Sequence, residues 1–413
     1  MGIRSSIIIV YCLFLSALNY VFQLSGGSIY ELLVTDFGIN PAQASLFFSS
    51  IHIIYAVMQF FAIYFVLRYG AVKVLLVSLS TMILSLIIAS YSTSLVELML
   101  LRICMGFSLS SLFVCGVKLG RSEISVTSFP LFLAAMDVLG MVVLCVGEKS
   151  IVHWIHFYGW RGFYLYFSEW FVFMVIVLII YSIYRPEKVS EDKTYLKQMN
   201  SGLKLAIKNP FLWKNALFSG LVFSILTVIY GLWLKPFLLV SMGLDIFGSS
   251  YYMQILMLGV ICGMLGVVML LKNSRYIPEI CATAAILSGL CLFTLAYASM
   301  ISIWLLSASL WILGCSCGCY IVNFLVCDYS DMGIDKNVFI AFTNGICYLI
   351  TPILQTLFGV LLSVLASDYS PLFGYQVCLM VYGVFFLASG YFIYGLLSRP
   401  FHHDPVLTTN QSQ

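Results

Sequence analysis

Apolar blocks of roughly 20 to 28 residues, each long enough to cross a membrane as an α-helix, follow one another along almost the whole chain. Of the 413 residues, 62% are hydrophobic and 9% are charged, whereas soluble domains are about a quarter charged. The chain is therefore predicted to be an integral membrane protein rather than a soluble globule. Its net charge of +3 gives no sign of nucleic-acid binding.

The blocks form two sets of six, separated by the one long polar stretch of the chain, residues 185–214. Twelve spans predict an all-α polytopic membrane protein with both termini on one side. The two six-helix bundles are predicted to be related by pseudo-two-fold symmetry. The predicted units are an N-terminal bundle at 1–184, a cytoplasmic linker at 185–210, a C-terminal bundle at 211–398 and a cytoplasmic tail at 399–413.

The placement of Lys and Arg predicts which side faces the cytoplasm, because basic residues are retained on that side. Of the 20 Lys and Arg residues, only Lys149, Arg161 and Lys235 fall in predicted external loops, and Arg102 falls within a span. The other sixteen share a side with the termini. Both termini are therefore predicted to be cytoplasmic, and the short loops suggest a multi-pass protein of a bacterial inner membrane.

The two halves of the chain repeat one short pattern. Phe37-Gly38-Ile39-Asn40 closes the first predicted span, and Met242-Gly243-Leu244-Asp245 closes the seventh, at an offset of 205 residues. One further span and a short basic loop follow in each half. An internal duplication of this size is typical of secondary transporters.

Three short motifs in the first half lie at defined positions relative to the predicted spans. They are Leu67 to Lys73 (LRYGAVK) after the second span, Arg102 to Gly106 (RICMG) in the fourth, and Tyr158 to Tyr164 (YGWRGFY) before the sixth. A fourth, Gly231 to Leu238 (GLWLKPFL), lies in the seventh span. Through these motifs the chain resembles the major facilitator superfamily of secondary transporters, and its solute-permease branch in particular. The resemblance covers nearly the whole chain.

The resemblance implies a gating loop after the second span. Arg68, Gly70 and Lys73 match the family pattern there, in which an Asp and its basic partners latch the inner face during alternating access. Leu67 replaces that Asp, and Val72 replaces a basic residue. The latch is therefore expected to be weakened or substituted in this chain.

The resemblance also implies that spans one, four, seven and ten line a central pathway. In the second half it points to polar or aromatic residues at suitable depths. These are Ser224 and Thr227 on span seven, Gln254 on span eight and Trp311 on span ten.

Four ionisable residues lie well inside predicted spans of the first half: His52, Arg102, Asp137 and Glu169. Arg102 and Asp137 lie at similar depths, and an unpaired charge at mid-membrane costs roughly 2.5 to 3.5 kcal/mol on insertion scales. We therefore predict contact between Arg102 and Asp137. The contact is either a structural ion pair or a functional one. In the functional case Arg102 meets an anionic group of the substrate, or protonation of Asp137 releases Arg102 during the transport cycle. His52 and Glu169 are either reserve proton carriers or hydrogen-bonded packing residues.

Asn19 and Gln23 place polar groups on the first span, followed by the small residues Ser25, Gly26 and Gly27. Adjacent glycines allow a bend or the approach of a ligand to the backbone. They equally allow close packing of helices.

Other classes of function find little support. Nearly all of the 13 cysteines lie in apolar blocks, where a thiol behaves as a small hydrophobe. The sequence has no His-Glu-x-x-His, Gly-x-Ser-x-Gly or nucleotide-binding loop of the Gly-x-x-x-x-Gly-Lys-Ser/Thr type. We therefore predict no enzyme activity, no cofactor and no metal.

The predicted function is secondary active transport of a small polar or organic-anion solute by alternating access, with proton-coupled uptake by a monomer. The alternatives are an efflux pump for amphipathic compounds and a sensor that has lost transport. Efflux is less favoured because Leu139 to Gly147 lacks the Gly-Pro pair of the family's exporter motif. The expected partners are the solute, protons and the lipid bilayer, with no nucleic acid.

Overall fold

The computed structural model describes residues 3–125, 128–184, 193–270, 277–322 and 336–401, and within these ranges the chain is helical with short turns and no strand. Eleven described helices are long and apolar enough to cross a membrane. One of them, at 54 residues, holds two spans, because the helix Phe129–Tyr184 changes direction at Gly159, where φ is 68°. The prediction of twelve spans is confirmed.

We number the spans in chain order. Spans 1 to 6 form the first half and spans 7 to 12 the second half. The helix Lys193–Lys208 precedes span 7 and lies within the segment predicted as a linker. The bounds are Ile3–Leu24 with Gly26–Phe37 (span 1), Pro41–Tyr69 (2), Ala71–Tyr91 (3), Leu95–Arg121 (4), Phe129–Tyr184 (5 and 6), Pro210–Ser224 with Ile225–Trp233 and Leu234–Met242 (7), Ile246–Leu270 (8), Ile277–Ala296 (9), Ile303–Cys317 with Gly318–Ile321 (10), Lys336–Asp368 (11) and Pro371–Phe401 (12).

The repeated pattern noted in the sequence has the same structure in both halves. Gly38 ends span 1 with φ 61°, and Gly243 ends span 7 with φ 63°, a left-handed conformation that favours glycine. Two residues later, the Asn40 side chain accepts a hydrogen bond from the Gln43 backbone N–H, and Asp245 accepts one from that of Gly248. In each half, therefore, the first span ends at a left-handed glycine, and a polar side chain caps the start of the next span.

The two halves pack against each other along three helix pairs: span 1 with span 7, span 2 with span 11, and span 5 with span 8. Between spans 2 and 11 the Ser49 hydroxyl lies 3.3 Å from the Gln355 side-chain oxygen. Between spans 5 and 8 the Gln254 amide donates to the Cys145 carbonyl at 2.8 Å. These contacts surround the centre of the bundle.

Span 1 is interrupted where it meets span 7. Its helix breaks at Ser25, and the facing segment Ile225–Trp233 of span 7 is a π-helix whose residues are all buried. A Cβ added at Gly26 would lie 2.7 Å from the Gly231 carbonyl oxygen, and one at Gly27 would lie 3.0 Å from that of Leu232. Close helix packing, one of the roles left open for these glycines, is therefore observed, together with a break of the helix directly before them.

Spans 8 and 10 cross through two matching Gly-x-x-x-Gly patterns, Gly259 with Gly263 and Gly314 with Gly318. A Cβ at Gly259 would lie 2.2 Å from the Trp311 carbonyl oxygen, and one at Gly314 would lie 2.1 Å from that of Leu256. Such spacing lets two backbones touch, which in lipid supplies van der Waals contact in place of a hydrophobic driving force.

Candidate functional site

A small cavity of about 20 Å³, enough for roughly one water molecule, lies at the centre of the bundle between the two halves. Spans 1, 2, 4 and 5 of the first half and spans 7, 10 and 11 of the second half contribute to its wall. One carboxylate, two amides and six aromatic rings dominate the lining. The lining residues are Asn19, Tyr20, Tyr55, Phe113, Asp137, Phe223, Tyr320, Asn344, Cys347 and Tyr348.

Asp137 is the acidic group of this cavity, and Tyr20 holds it in place. The Tyr20 hydroxyl donates a hydrogen bond of 2.8 Å to the carboxylate of Asp137. The ring of Tyr20 can reach it because Gly140, one turn along span 5, has no side chain: a Cβ there would lie 2.4 Å from the ring. Both Asp137 and Tyr20 are buried, so the carboxylate is screened from bulk water and from lipid.

Aromatic rings form most of the remaining wall. Tyr55 of span 2 stacks on Tyr348 of span 11 with ring centroids 4.2 Å apart, which joins the two halves. Phe223 packs against Tyr348 at 5.1 Å and against Tyr320 at 5.2 Å. The Tyr320 hydroxyl lies close enough to interact electrostatically with Asp137 but makes no hydrogen bond of standard geometry within the described ranges. It is therefore a further polar group of the cavity wall, next to Asp137.

Asn19 and Gln23 form a second polar group on span 1. The Gln23 amide donates to the Asn19 side-chain oxygen at 2.6 Å, and Asn19 lines the cavity beside Tyr20. His52 is buried on span 2, with its ring 6.2 Å from that of Tyr348. Of these three residues only Asn19 lines the cavity, and a role in the pathway for Asn19, Gln23 and His52 stays a prediction.

The predicted contact between Arg102 and Asp137 is wrong. Arg102 instead donates to the backbone carbonyls of Phe47 and Phe48 on span 2, at 2.9 and 3.3 Å, and to the Tyr164 hydroxyl on span 6 at 3.4 Å. Its guanidinium also lies 4.3 Å from the Phe47 ring centroid. Depth in the membrane is similar for the two charges, but each residue turns a helix by about 100°, so depth does not decide which neighbour a side chain faces.

Arg102 is therefore expected to act as a structural tie between spans 4, 2 and 6. Replacing Arg102 with Gln should lower the free energy of unfolding by about 1–3 kcal/mol, because charge-assisted hydrogen bonds and cation–π contacts are lost. The ratio of protons to solute moved should stay unchanged. Thermal unfolding in detergent and coupled-flux assays would measure these two quantities. A changed ratio with unchanged stability would instead place Arg102 in the pathway.

Two residues predicted to face the pathway lie on the outside of the bundle. Glu169 is exposed on span 6, beside the exposed Trp170, so its predicted place in the interior is wrong. The Trp311 side chain on span 10 is 45% exposed, and its backbone carbonyl faces Gly259 instead. Both corrections have the same cause as the correction for Arg102. The sequence gives the position of a residue along its helix but not the rotation of that helix about its axis, so it does not show which side chains face the interior.

The remaining predicted residues lie inside the bundle but away from the cavity lining. The Ser224 hydroxyl bonds to the Tyr382 hydroxyl of span 12, within the second half. Thr227 is buried in the π-helix, and its hydroxyl has no partner among the described residues. Gln254 bridges the halves through Cys145.

The predicted gating loop is a one-residue connection between spans 2 and 3. Gly70 has φ 88°, so it alone turns the chain, and Arg68 and Lys73 are exposed on either side. The Arg68 guanidinium donates to the Tyr64 hydroxyl at 2.6 Å. A gating role for this loop stays a prediction. The basic residues of the matching loop, Lys272 and Arg275, lie outside the described ranges.

A buried ion pair joins the two halves at residues that the sequence analysis did not select. The Lys235 ammonium lies 2.5 Å from the Glu148 carboxylate, and their side chains are 2% and 5% exposed. The prediction of Lys235 as an external loop residue is wrong, because span 7 continues as helix to Met242. The sequence did contain a signal for this pair: an acidic residue, Glu148, lies toward the end of span 5, and a basic residue, Lys235, lies toward the end of span 7, at the same side of the bundle.

No group of three or more His, Cys, Asp or Glu residues that could hold a metal ion occurs in the part of the chain that the structure describes. The described cysteines are free thiols.

Comparison with solved structures gives the same fold throughout. A bacterial homolog of the human lysosomal transporter Spinster, inward-facing and unoccupied, is 13% identical with a TM-score of 0.71, covering 97% of this chain and 98% of its own. The nucleoside transporter NupG is 13% identical with a TM-score of 0.71, at 96% and 99% coverage. A D-xylose-proton symporter is 12% identical with a TM-score of 0.70, at 92% and 96% coverage.

No curated protein matches the chain. The family model described as Major Facilitator Superfamily matches residues 9–344, which is most of the sequence. The twelve spans, the duplicated halves and the cavity between them are what that family predicts. The chain therefore belongs to the Major Facilitator Superfamily and is a multi-pass membrane transporter of solutes, not an enzyme.

Proposed function

We propose that the protein is a proton-coupled uptake transporter for a small, uncharged polar solute that contains a ring. The observation that carries the proposal is Asp137, the one carboxylate in the lining of a cavity shared by both halves. A carboxylate enclosed by protein can take up a proton on one side of the membrane and release it on the other as the halves move. Proton transfer and solute binding would then occur at the same place, once the halves separate enough for the cavity to admit a solute.

The lining favours an uncharged solute over an organic anion. Among the described residues that line the cavity there is no Lys, Arg or His to pair with an anion. Arg102, the cation predicted for that purpose, is occupied by backbone carbonyls. Aromatic faces can instead stack on a ring, and the Asn19 and Asn344 amides can both donate and accept hydrogen bonds.

A protonated Asp137 gives a physical reason for symport. Once neutral, the carboxyl group can donate a hydrogen bond to the solute, so each ligand improves the site for the other. A cationic solute would compete with the proton for the single negative charge, and competition produces exchange rather than symport. The nucleoside and D-xylose transporters with the same fold handle uncharged cyclic solutes, which is consistent with the proposal.

A growth screen of a deletion strain on single nutrients would identify candidate solutes. Uptake of each candidate into proteoliposomes would then be measured with and without an inward proton gradient. We expect accumulation that depends on the gradient. Accumulation that is equal in its absence would contradict proton coupling. Accumulation that instead requires an outward proton gradient, with protons leaving as the solute enters, would indicate exchange and support the efflux alternative.

The cellular setting follows from the charge distribution and also remains a proposal. We place the protein in a bacterial inner membrane as a monomer, with both termini and the linker 185–210 in the cytoplasm. The two bundles, 1–184 and 211–398, would move as bodies around the cavity. Reagents that label lysines from one side of the membrane, applied to Lys149 and Lys204, would test the orientation.

A further inference from the structure

Three polar bonds between the halves meet at Lys235 and Glu148. Lys235 of span 7 lies 2.5 Å from the carboxylate of Glu148 on span 5 and 2.6 Å from the hydroxyl of Ser28 on span 1. The Tyr230 hydroxyl of span 7 donates to the second oxygen of Glu148 at 3.0 Å. Each of these bonds therefore joins the first half to the second half, and none lies within one half.

The cluster is sealed from water by the close contact of spans 1 and 7. Backbone touches backbone where Gly26 and Gly27 meet Gly231 and Leu232. One turn further along span 1, the Tyr30 ring packs edge-on against Trp233 at 5.5 Å. The cluster lies on the side of the cavity at which span 1 ends, which is the predicted external side.

Motion of the halves must break this ion pair. Alternating access opens the cavity to one side at a time, and spans 1, 5 and 7 cannot separate on the outer side while Lys235 bridges them. A buried charge left without its partner is costly, whereas the same charges in an open, water-filled cleft are solvated. The pair therefore stabilises the state in which the outer side is closed.

We infer that Glu148 and Lys235 form an outer latch that sets how often the transporter opens to the outside. These are positioning residues, since neither lines the cavity. Breaking the latch should favour the outward-open state and slow the return to the closed state.

Cys145 is a built-in reporter of that opening. It is buried at the contact of spans 5 and 8, and its thiol faces the Gln254 carbonyl at 3.6 Å, one turn from Glu148. A membrane-impermeant maleimide should reach it from outside only when the halves separate there. Mass spectrometry of the labelled peptide measures this thiol without removing the other cysteines.

The test compares Lys235→Met, which leaves the Glu148 charge in place, with the charge-reversed pair Glu148→Lys and Lys235→Glu in one chain. In reconstituted protein, Lys235→Met should raise the labelling rate of Cys145 on the order of tenfold and lower the maximal transport rate. The reversed pair should restore both toward wild type. The labelling result does not depend on the solute or on the proton gradient, so it can succeed where the proposed function fails.

A matched control is the ion pair of Asp36 and Arg161, which lies at the same side but is exposed and joins span 1 to span 6 within the first half. Arg161→Gln should leave Cys145 labelling unchanged. If Lys235→Met does not fold, Tyr230→Phe and Ser28→Ala each remove one bond and should raise labelling to a smaller degree. Labelling at the wild-type rate in these variants, or a folded reversed pair that stays as open as Lys235→Met, would overturn the latch.

Discussion

Replacing Asp137 with Asn is expected to abolish proton-driven accumulation of the solute while leaving the protein folded and able to exchange solute across the membrane. Asparagine has the shape of aspartate and can still accept the Tyr20 hydrogen bond, which is 2.8 Å long in the native protein. It cannot take up a proton. With one proton per solute, a gradient of one pH unit supports about tenfold accumulation, because 1.4 kcal/mol is a factor of ten. In the variant the ratio should fall to about one.

Glu169→Gln provides the matched control for this prediction. It also removes a carboxylate from a span of the first half, but that carboxylate is exposed on the outside of the bundle. Accumulation should therefore match the wild type. The assignment of Asp137 would be wrong if Asp137→Asn still concentrated the solute, or if Glu169→Gln lost the ability to do so.

Replacing Gly259 or Gly314 with Leu is expected to prevent folding of the second half. A Cβ at either position would lie 2.1 to 2.2 Å from a backbone carbonyl oxygen of the facing span, which cannot move aside as a side chain can. Forcing spans 8 and 10 apart should cost at least about 3 kcal/mol and remove much of their contact area. Size-exclusion profiles of a fluorescent fusion would measure the folded fraction.

Gly266→Leu is the control for this second prediction. Gly266 lies on span 8, and no atom lies within 4 Å of a Cβ added there. This variant should yield folded protein at the wild-type level. Equal yields for Gly259→Leu and Gly266→Leu would show that the close crossing of spans 8 and 10 does not hold the half together.

Span number and duplication could be predicted from the sequence because the membrane restricts what an apolar chain can form. A hydrocarbon interior requires every backbone N–H and C=O to be satisfied within the span, so long apolar blocks become helices. The repeated Gly38 and Gly243 marked the same turn in both halves, and both have positive φ. Length and turn chemistry are local properties, which a sequence displays directly.

The partners of the buried charges could not be predicted in the same way. Arg102 donates to backbone carbonyls of span 2 and does not contact Asp137, and Glu169 is exposed on the outside of the bundle. Lys235 was assigned to a loop although it is buried against Glu148. For Arg102 and Glu169 the missing quantity was the rotation of one helix against its neighbours, and for Lys235 it was the point at which span 7 ends. Both depend on packing across the whole bundle. Tyr20 was missed because its reach to Asp137 depends on Gly140, a residue 120 positions away.

The most direct test of the account is a pH recording from lightly buffered proteoliposomes, oriented right side out, as solute is added outside without any imposed gradient. Uptake with protons should make the external medium more alkaline in the wild type, and the same addition to Asp137→Asn should give no pH change. Solute entry into wild-type vesicles with no alkalinisation, or with acidification, would contradict proton-coupled uptake through Asp137.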